Sequence, residues 1–386
     1  MSNMNAESKI KVLQLVWRFN TGGAENMVVA FHNYFSHNST IQIKTLSFTP
    51  SKGEIWEKQL QSGNVNYIPK FWGDFFPFPL RKIFRYFFYT LYRRQWLKKN
   101  IYDYNPDIVH VHLANLAAEM YDVLKGLSSN TKVIYHLHSM PETITPARQK
   151  ILNKAISSHK YIPICVTSLQ RKSASSIYGV PLDAFIVYNG IDINRFLDTK
   201  LSQDEINKLK FSYNIKQNQL VVGSVGRGAP VKNYPLLAKS VGEIATRKEV
   251  TLLIVGSIDD QLRKEIISSA GNANIVFTGT ISNTNELYRL MDVFVLPSFY
   301  ESSSIVTVEA QLSGLCCVIS DTISDEVIIS DGVIKVSPYT SATEWAEAIE
   351  RQAYKVNTIN DIERFDFEKN AQRLSNYYKS IIEYDK

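Results

Sequence analysis

Short apolar runs recur along the chain, each followed by a turn signal and then by apolar residues at helical spacing. The clearest are residues 11–16 (KVLQLV), 108–112 (IVHVH), 133–138 (VIYHLH), 161–166, 185–188, 220–225, 251–255 (TLLIV), 275–277, 293–296 (VFVL) and 316–319 (CCVI). Continuous Val, Ile and Leu runs of this length mark strands covered on both faces of a parallel sheet. Strand and helix patterns that alternate over the whole length predict an α/β protein. The strands form two groups separated by a polar, helix-poor stretch at about 192–219. Two domains with their own parallel sheets are therefore expected, over 1–190 and 191–365, with a terminal helix at 366–386 packing back toward the first. Two such domains side by side place a cleft at the carboxyl ends of both sheets, where ligands bind in folds of this kind.

Composition narrows the class. With 45% apolar and 21% charged residues over 386 positions the chain is globular, which excludes disordered, collagen-like and coiled-coil architectures. Cys165, Cys316 and Cys317 form neither a disulfide framework nor a Cys-x-x-Cys metal site, which fits a reducing compartment. The opening MSNMNAESKIK has no hydrophobic export core, and no stretch reaches the roughly 18 apolar residues that span a bilayer. A cytoplasmic protein, soluble or peripheral, is expected. A net charge of +6 is too mild to imply nucleic acid.

Four features carry candidate chemistry. Gly22 and Gly23 follow the first strand and open a helical pattern over 24–35, so backbone amides at a helix start can approach a phosphate; a plain strand-to-helix turn is the alternative. The strand at 220–225 runs into Gly226-Arg227-Gly228-Ala229-Pro230-Val231-Lys232-Asn233, where the Arg227 fork and the Lys232 point charge suit adjacent phosphates. After the strand at 293–296 come Glu301, a serine run offering helix caps, a short helix at 305–312 ended by Gly314, and Glu309 on that helix. These two carboxylates can accept hydrogen bonds from a sugar or ribose; alternatively Glu301 is solvated and Glu309 caps local amides. Histidines close two strands of the first domain, His110 with His112 and His136 with His138, and alternation puts each pair on one face. His138 stands last before the turn at Pro141, at the expected cleft, where a neutral imidazole can donate or accept near a reacting group. Metal binding there lacks a carboxylate or cysteine to complete the ligand set.

Residues 71–99 contain twelve aromatics and seven basic residues, Arg81, Lys82, Arg85, Arg93, Arg94, Lys98 and Lys99, with Asp74 the one acid. Apolar Ile83, Phe84, Phe87, Phe88 and Leu91 keep helical spacing while the basic residues are expected on the other face. Such a helix can lie in an anionic membrane interface; a core helix with a solvated basic face is the alternative.

Together, Gly22–Glu25, His138-Ser139, Tyr188-Asn189-Gly190-Ile191-Asp192, Gly226-Arg227 with Lys232-Asn233, and Glu301-x7-Glu309 resemble, in order and spacing, the retaining glycosyltransferases of family 4. The resemblance covers nearly the whole chain and implies the GT-B fold, two Rossmann-like domains facing a cleft. It implies a nucleoside-diphosphate sugar donor, UDP-linked by preference, and a glycan or lipid-linked glycan acceptor of bacterial surface polysaccharide synthesis at the inner membrane face. No metal or further cofactor is expected, in keeping with the missing Asp-x-Asp. By position, Arg227 and Lys232 would stabilise the departing diphosphate. Glu301, with Ser303, Ser304 and Ile305, would lie at the donor sugar and Glu309 at the ribose. Gly22 and Gly23 would approach the diphosphate or acceptor, and His138 the transferred sugar. The serines after Glu301 depart from the usual Gly and aromatic or Pro. Two alternatives are a nucleotide-sugar epimerase on the same scaffold and an inactive partner subunit.

Overall fold

The computed structural model describes residues 9–19, 22–53, 57–61, 63–70, 80–353 and 355–383, and of 80–87 the backbone alone. The chain divides into two units, one made of 1–190 with 368–386 and the other of 191–367. The first holds strands β1 (Ile10–Val16), β2 (Ile41–Ser47), β3 (Val65–Tyr67), β4 (Ile108–His112), β5 (Lys132–His136), β6 (Ile162–Cys165) and β7 (Phe185–Ile186) in one parallel sheet of order β3-β2-β1-β4-β5-β6-β7. Its helices are α1 (Gly23–Ser36), α2 (Leu80–Tyr104), α3 (Ala114–Leu124), α4 (Pro146–Ser157) and α5 (Ser168–Tyr178). The second holds β8 (Leu220–Val225), β9 (Val250–Val255), β10 (Asn274–Phe277), β11 (Val293–Leu296), β12 (Cys317–Ser320) and β13 (Val333–Val336) in a parallel sheet of order β10-β9-β8-β11-β12-β13. Its helices are α6 (Ile193–Leu197), α7 (Gln203–Ser212), α8 (Tyr234–Ile244), α9 (Asp260–Ser269), α10 (Thr284–Tyr288), α11 (Ile305–Leu312) and α12 (Ala342–Gln352). A last helix, α13 (Phe367–Glu383), groups with the first unit from Glu368 onward.

The expected α/β architecture with two parallel sheets is present. Every residue of β4, β8, β9, β11 and β12 is buried, as continuous apolar strands covered on both faces require. The stretch expected to be poor in helix instead contains α6 and α7. Asp192 caps α6 through its side chain, and Ser202 with Glu205 forms a reciprocal capping box at α7, so local capping starts helices whose apolar periodicity is weak. Residues of α13 pack on the first unit: Tyr377 stacks on Phe185 with centroids 4.1 Å apart, and Tyr378 lies against Phe35.

Helix α2 extends over 25 residues, but the basic residues do not share one outward face. Arg93, expected to face a membrane, is buried: its guanidinium pairs with Glu119 at 3.0 Å and lies 4.2 Å from the Trp17 ring and 4.0 Å from the Tyr89 ring. A desolvated cation over two aromatic faces contributes about 2 kcal/mol or more, which outweighs what a solvated position offers. Arg94 pairs with Asp122 at 3.0 Å. Lys98 and Lys99 are exposed, on the side that also exposes Phe88, Leu91 and Tyr102, while the side chains of Arg81, Lys82 and Arg85 lie outside the described residues. Among the described residues no helix is long and apolar enough to cross a membrane.

Loop geometry in the second unit rests on Gly256, which has φ +137° and would place a Cβ 2.1 Å from Gly226 O. Gly256→Ala is expected to cost about 2–5 kcal/mol through left-handed strain and overlap, lowering the thermal midpoint by roughly 5–15 °C. Gly63→Ala, where an added Cβ meets nothing within 4 Å, serves as the neutral control in the same calorimetric scan.

Candidate functional site

In the second unit the strand order reverses between β8 and β11, which pair in parallel, so the loops leaving their carboxyl ends run side by side. Gly226 follows β8 and packs under the lysine of its own loop: a Cβ there would lie 3.0 Å from Lys232 Cε. A short 3-10 turn, Pro230–Lys232, is closed by Asn233 at φ 52°, and the Tyr234 hydroxyl reaches back to donate to Gly226 O at 3.0 Å. This places Lys232 Nζ where it donates to Glu301 Oε1 at 2.7 Å, with the two side chains 15% and 16% exposed. Ser298 Oγ donates to the same carboxylate oxygen at 2.8 Å, and the Phe299 amide ties the two loops by donating to Val231 O at 2.8 Å. Arg227 is exposed on the first of these loops. Lys232 and Glu301, which the resemblance gives to diphosphate and donor sugar, are therefore in direct contact.

The serine run behaves differently from expectation. Ser304 occupies the N-cap of α11, yet its hydroxyl meets the Thr307 hydroxyl at 2.9 Å and caps no amide. Ser303 Oγ is buried with no hydrogen-bond partner, and the amide of Ile305, where α11 begins, donates to Ser303 O at 2.9 Å. Glu309 on α11 accepts from the Tyr288 hydroxyl at 2.7 Å. Burial pushes the Glu309 carboxyl up to about 7, against the opposing pull of the Tyr288 hydrogen bond and the Arg195 charge. Arg195 itself donates to Ser282 O at 2.6 Å and to Asn285 Oδ1 at 3.4 Å.

The first unit reverses its order between β1 and β4. Gly22 is the N-cap of α1 in extended backbone and supplies no side-chain cap, and a Cβ on Gly23 would meet nothing within 4 Å, so packing does not demand that glycine. Beside this turn runs a buried polar row across the sheet. His32 Nδ1 lies 2.8 Å from Thr45 Oγ1, and the Gln14 amide nitrogen donates to Thr45 Oγ1 at 3.1 Å and to Val28 O at 3.0 Å. Gln14 Oε1 is 3.2 Å from His112 Nε2, and His112 Nδ1 is 2.9 Å from His138 Nε2. His110 joins Tyr378 of α13 through Nδ1 at 2.5 Å and His136 through Nε2 at 3.2 Å. Leu113, directly after His112, holds φ 76°, a strained value for a residue with a Cβ.

His112 and His136 are the last residues of β4 and β5, as expected, and both are fully buried, as is His110 two residues before the end of β4. All four imidazoles are held far below their ordinary 6.5, first by burial and, for all but His138, also by neighbouring histidines, with His110 and His138 lowered to about 3. His110, His112 and His136 stand close enough to bracket a cation. Both ring nitrogens of His110 and of His112 are nevertheless engaged in hydrogen bonds, and no carboxylate or thiolate among the described residues joins the group. Sequence reasoning missed Gln14, Ser298, Tyr288 and Tyr378; Gln14 had a visible signal, a lone amide inside the apolar run KVLQLV.

Two family models match, one described as Glycosyltransferase Family 4 over residues 21–195 and one as Glycosyl transferases group 1 over 205–376. A protein of Bacillus subtilis (strain 168) that carries the name glycosyltransferase EpsF is 32% identical over 212 residues, 51% of this chain and 53% of its own length. The UDP-Gal:alpha-D-GlcNAc-diphosphoundecaprenol alpha-1,3-galactosyltransferase of Escherichia coli is 24% identical over 251 residues, 61% of this chain and 62% of its own. The chain thus spans little more than half the length of these two relatives. Among solved structures, Anabaena HepE in complex with UDP-glucose superposes with a TM-score of 0.75 at 19% identity, covering 96% of this chain and 100% of that one.

The neutral histidines make stability depend on pH. Their folded values lie below the ordinary 6.5, so as pH falls the unfolded chain takes up protons first. Their contribution is present above about pH 6.5 and declines below it, by up to roughly 1.4 kcal/mol per pH unit for each histidine. The urea midpoint, followed by tryptophan fluorescence, is expected to fall between pH 7 and pH 5, and less steeply in His110→Gln. Equal slopes for the two proteins contradict neutral burial of His110.

Proposed function

Because the chain belongs to the GT-B glycosyltransferases of family 4 type, we propose that it moves a sugar from a UDP-linked donor to a glycan or lipid-linked glycan acceptor with retention of configuration. The observation that carries this reading is the Lys232–Glu301 pair, built from the loops after β8 and β11 where the second sheet reverses its order. An ammonium fixed at that point, with Arg227 on the same loop, meets the charge that develops on a diphosphate as it leaves. Diphosphate draws Lys232 toward itself, and Glu301 then has an oxygen available to a hydroxyl of the donor sugar. Ser303, Ser304 and the Ile305 amide line the following turn, where the buried Ser303 hydroxyl without a partner suits a ligand hydroxyl. Glu309, whose carboxyl burial raises, is assigned to the ribose hydroxyls. Gly22 and Gly23 offer backbone amides at the start of α1, and His138 is assigned to the transferred sugar. No protein nucleophile is assigned; the leaving phosphate assists attack on the same face.

The UDP preference is supported by the solved neighbour that holds UDP-glucose and by the relative named for UDP-Gal. That relative's name also includes a diphosphoundecaprenol acceptor, and we extend the lipid-linked class to this chain as part of bacterial surface glycan synthesis at the inner membrane face. The side of α2 that exposes Phe88, Leu91, Lys98, Lys99 and Tyr102 is the proposed membrane contact.

Incubation with a panel of UDP-sugars and lipid-linked or oligosaccharide acceptors is expected to give an α-linked product, read by proton NMR of the anomeric centre. Lys232→Ala and Glu301→Gln are each expected to lower kcat by about 10²–10³, and full activity in both removes their assigned roles. Co-sedimentation with anionic vesicles tests the membrane contact: Lys98→Glu with Lys99→Glu is expected to weaken binding several-fold, at about 1 kcal/mol per basic residue, and unchanged partitioning rejects it.

A further inference from the structure

The hydrogen bonds of the first unit's polar row fix the protonation of each member in turn. Val28 O can only accept, so the amide nitrogen of Gln14 must face it and the Gln14 oxygen must face His112. That oxygen also only accepts, so the proton of neutral His112 sits on Nε2, and Nδ1 is left with a lone pair. His138 Nε2, 2.9 Å away, must then be the protonated nitrogen of its ring. What remains is His138 Nδ1, a bare lone pair, buried, with no hydrogen-bond partner. A buried acceptor without a partner is destabilising, and a ligand donor arriving there would relieve it.

We infer that Gln14 and His112 are positioning residues: they lock His138 as the Nε2–H tautomer, so that its Nδ1 can only accept a hydrogen bond from a hydroxyl of the sugar substrate. The inference rests on the proposed assignment of His138 to the transferred sugar and adds the direction of the hydrogen bond. His138 Nδ1 stays unprotonated at neutral pH because burial holds the imidazole at about 3, too low for a proton carrier and suited to orienting a hydroxyl. The second branch, from Tyr378 through His110 to His136, has no such one-way terminus, because a tyrosine hydroxyl can either donate or accept. Direction is thus set by Gln14 and the Val28 carbonyl that its amide nitrogen faces.

Nitrogen-15 NMR of the histidine-labelled protein reads the tautomer directly, with signals assigned by loss in single histidine variants. The expected spectrum at pH 7 has His138 protonated at Nε2 and bare at Nδ1; protonation at Nδ1 overturns the inference. Gln14→Met removes the accepting oxygen and is expected to give a mixed His138 tautomer and to lower kcat about tenfold, with the donor KM changed less than twofold. Gln14→Glu, as the neutral acid, keeps a donor for Val28 O and an acceptor for His112, and is expected to restore both the tautomer and most of kcat. An unmixed tautomer together with full kcat in Gln14→Met rejects the positioning role. The spectrum of the unsubstituted protein decides the tautomer even where Gln14→Met fails to fold or no sugar is transferred, so failure of the proposed reaction and failure of this inference are read separately.

Discussion

Parallel strand pairing is the constraint from which the chemistry of this protein follows. Because neighbouring strands point the same way, their carboxyl-end loops gather on one edge, and where the strand order reverses the loops of two adjacent strands that are distant in sequence meet there. Each unit has one such point, β1 with β4 and β8 with β11. Lys232 and Glu301 are 69 positions apart in sequence and 2.7 Å apart in space because each follows one of the paired strands β8 and β11. The same logic assembles Gln14 and His112 from β1 and β4.

The legible part of the sequence was the part written in continuous apolar runs. Strands β4, β8, β9 and β11 declared themselves because both faces are covered; β2, with the alternating pattern of IQIKTLS, and the three-residue β3 did not. Helices α6 and α7 escaped for the complementary reason: capping side chains start them, while their apolar periodicity is slight. At the candidate site the residue types were readable and their partners were not. Nothing in the spacing of Lys232 and Glu301 announces an ion pair, and nothing about Glu309 announces Tyr288, since both contacts are made between loops and helices that only the sheet brings together. Arg93 shows how a composition argument fails locally. Seven basic residues within 71–99 suggested a charged face, yet one of them is buried on Trp17 and Tyr89 beside Glu119.

The two units handle buried polarity in different ways. In the second, a charged pair is fastened by a serine and a backbone bond near the surface, where an incoming anion can compete for the lysine. In the first, polarity is neutral and deep. Imidazoles, an amide and hydroxyls bond one another across the sheet, with His136 Nε2 and His138 Nδ1 left over, and desolvation keeps the imidazoles uncharged. A neutral network of this kind contributes little net stability, at about 1 kcal/mol per hydrogen bond, but its geometry admits few alternatives, which suits a role in orientation.

Helix α13 gives the first unit a dependence on time as well as on sequence. Tyr378 bonds His110 across 268 positions of chain, and Tyr377 stacks on Phe185. During synthesis, which runs N-terminus first, the sheet of the first unit emerges long before the helix that completes its cover. Until then, His110 and the aromatic surface around Phe35 and Phe185 stay uncovered, and the intervening unit can mature before the one that precedes it. A growing chain thus completes the residues of the second unit, 191–367, before it holds the helix that the first unit still lacks.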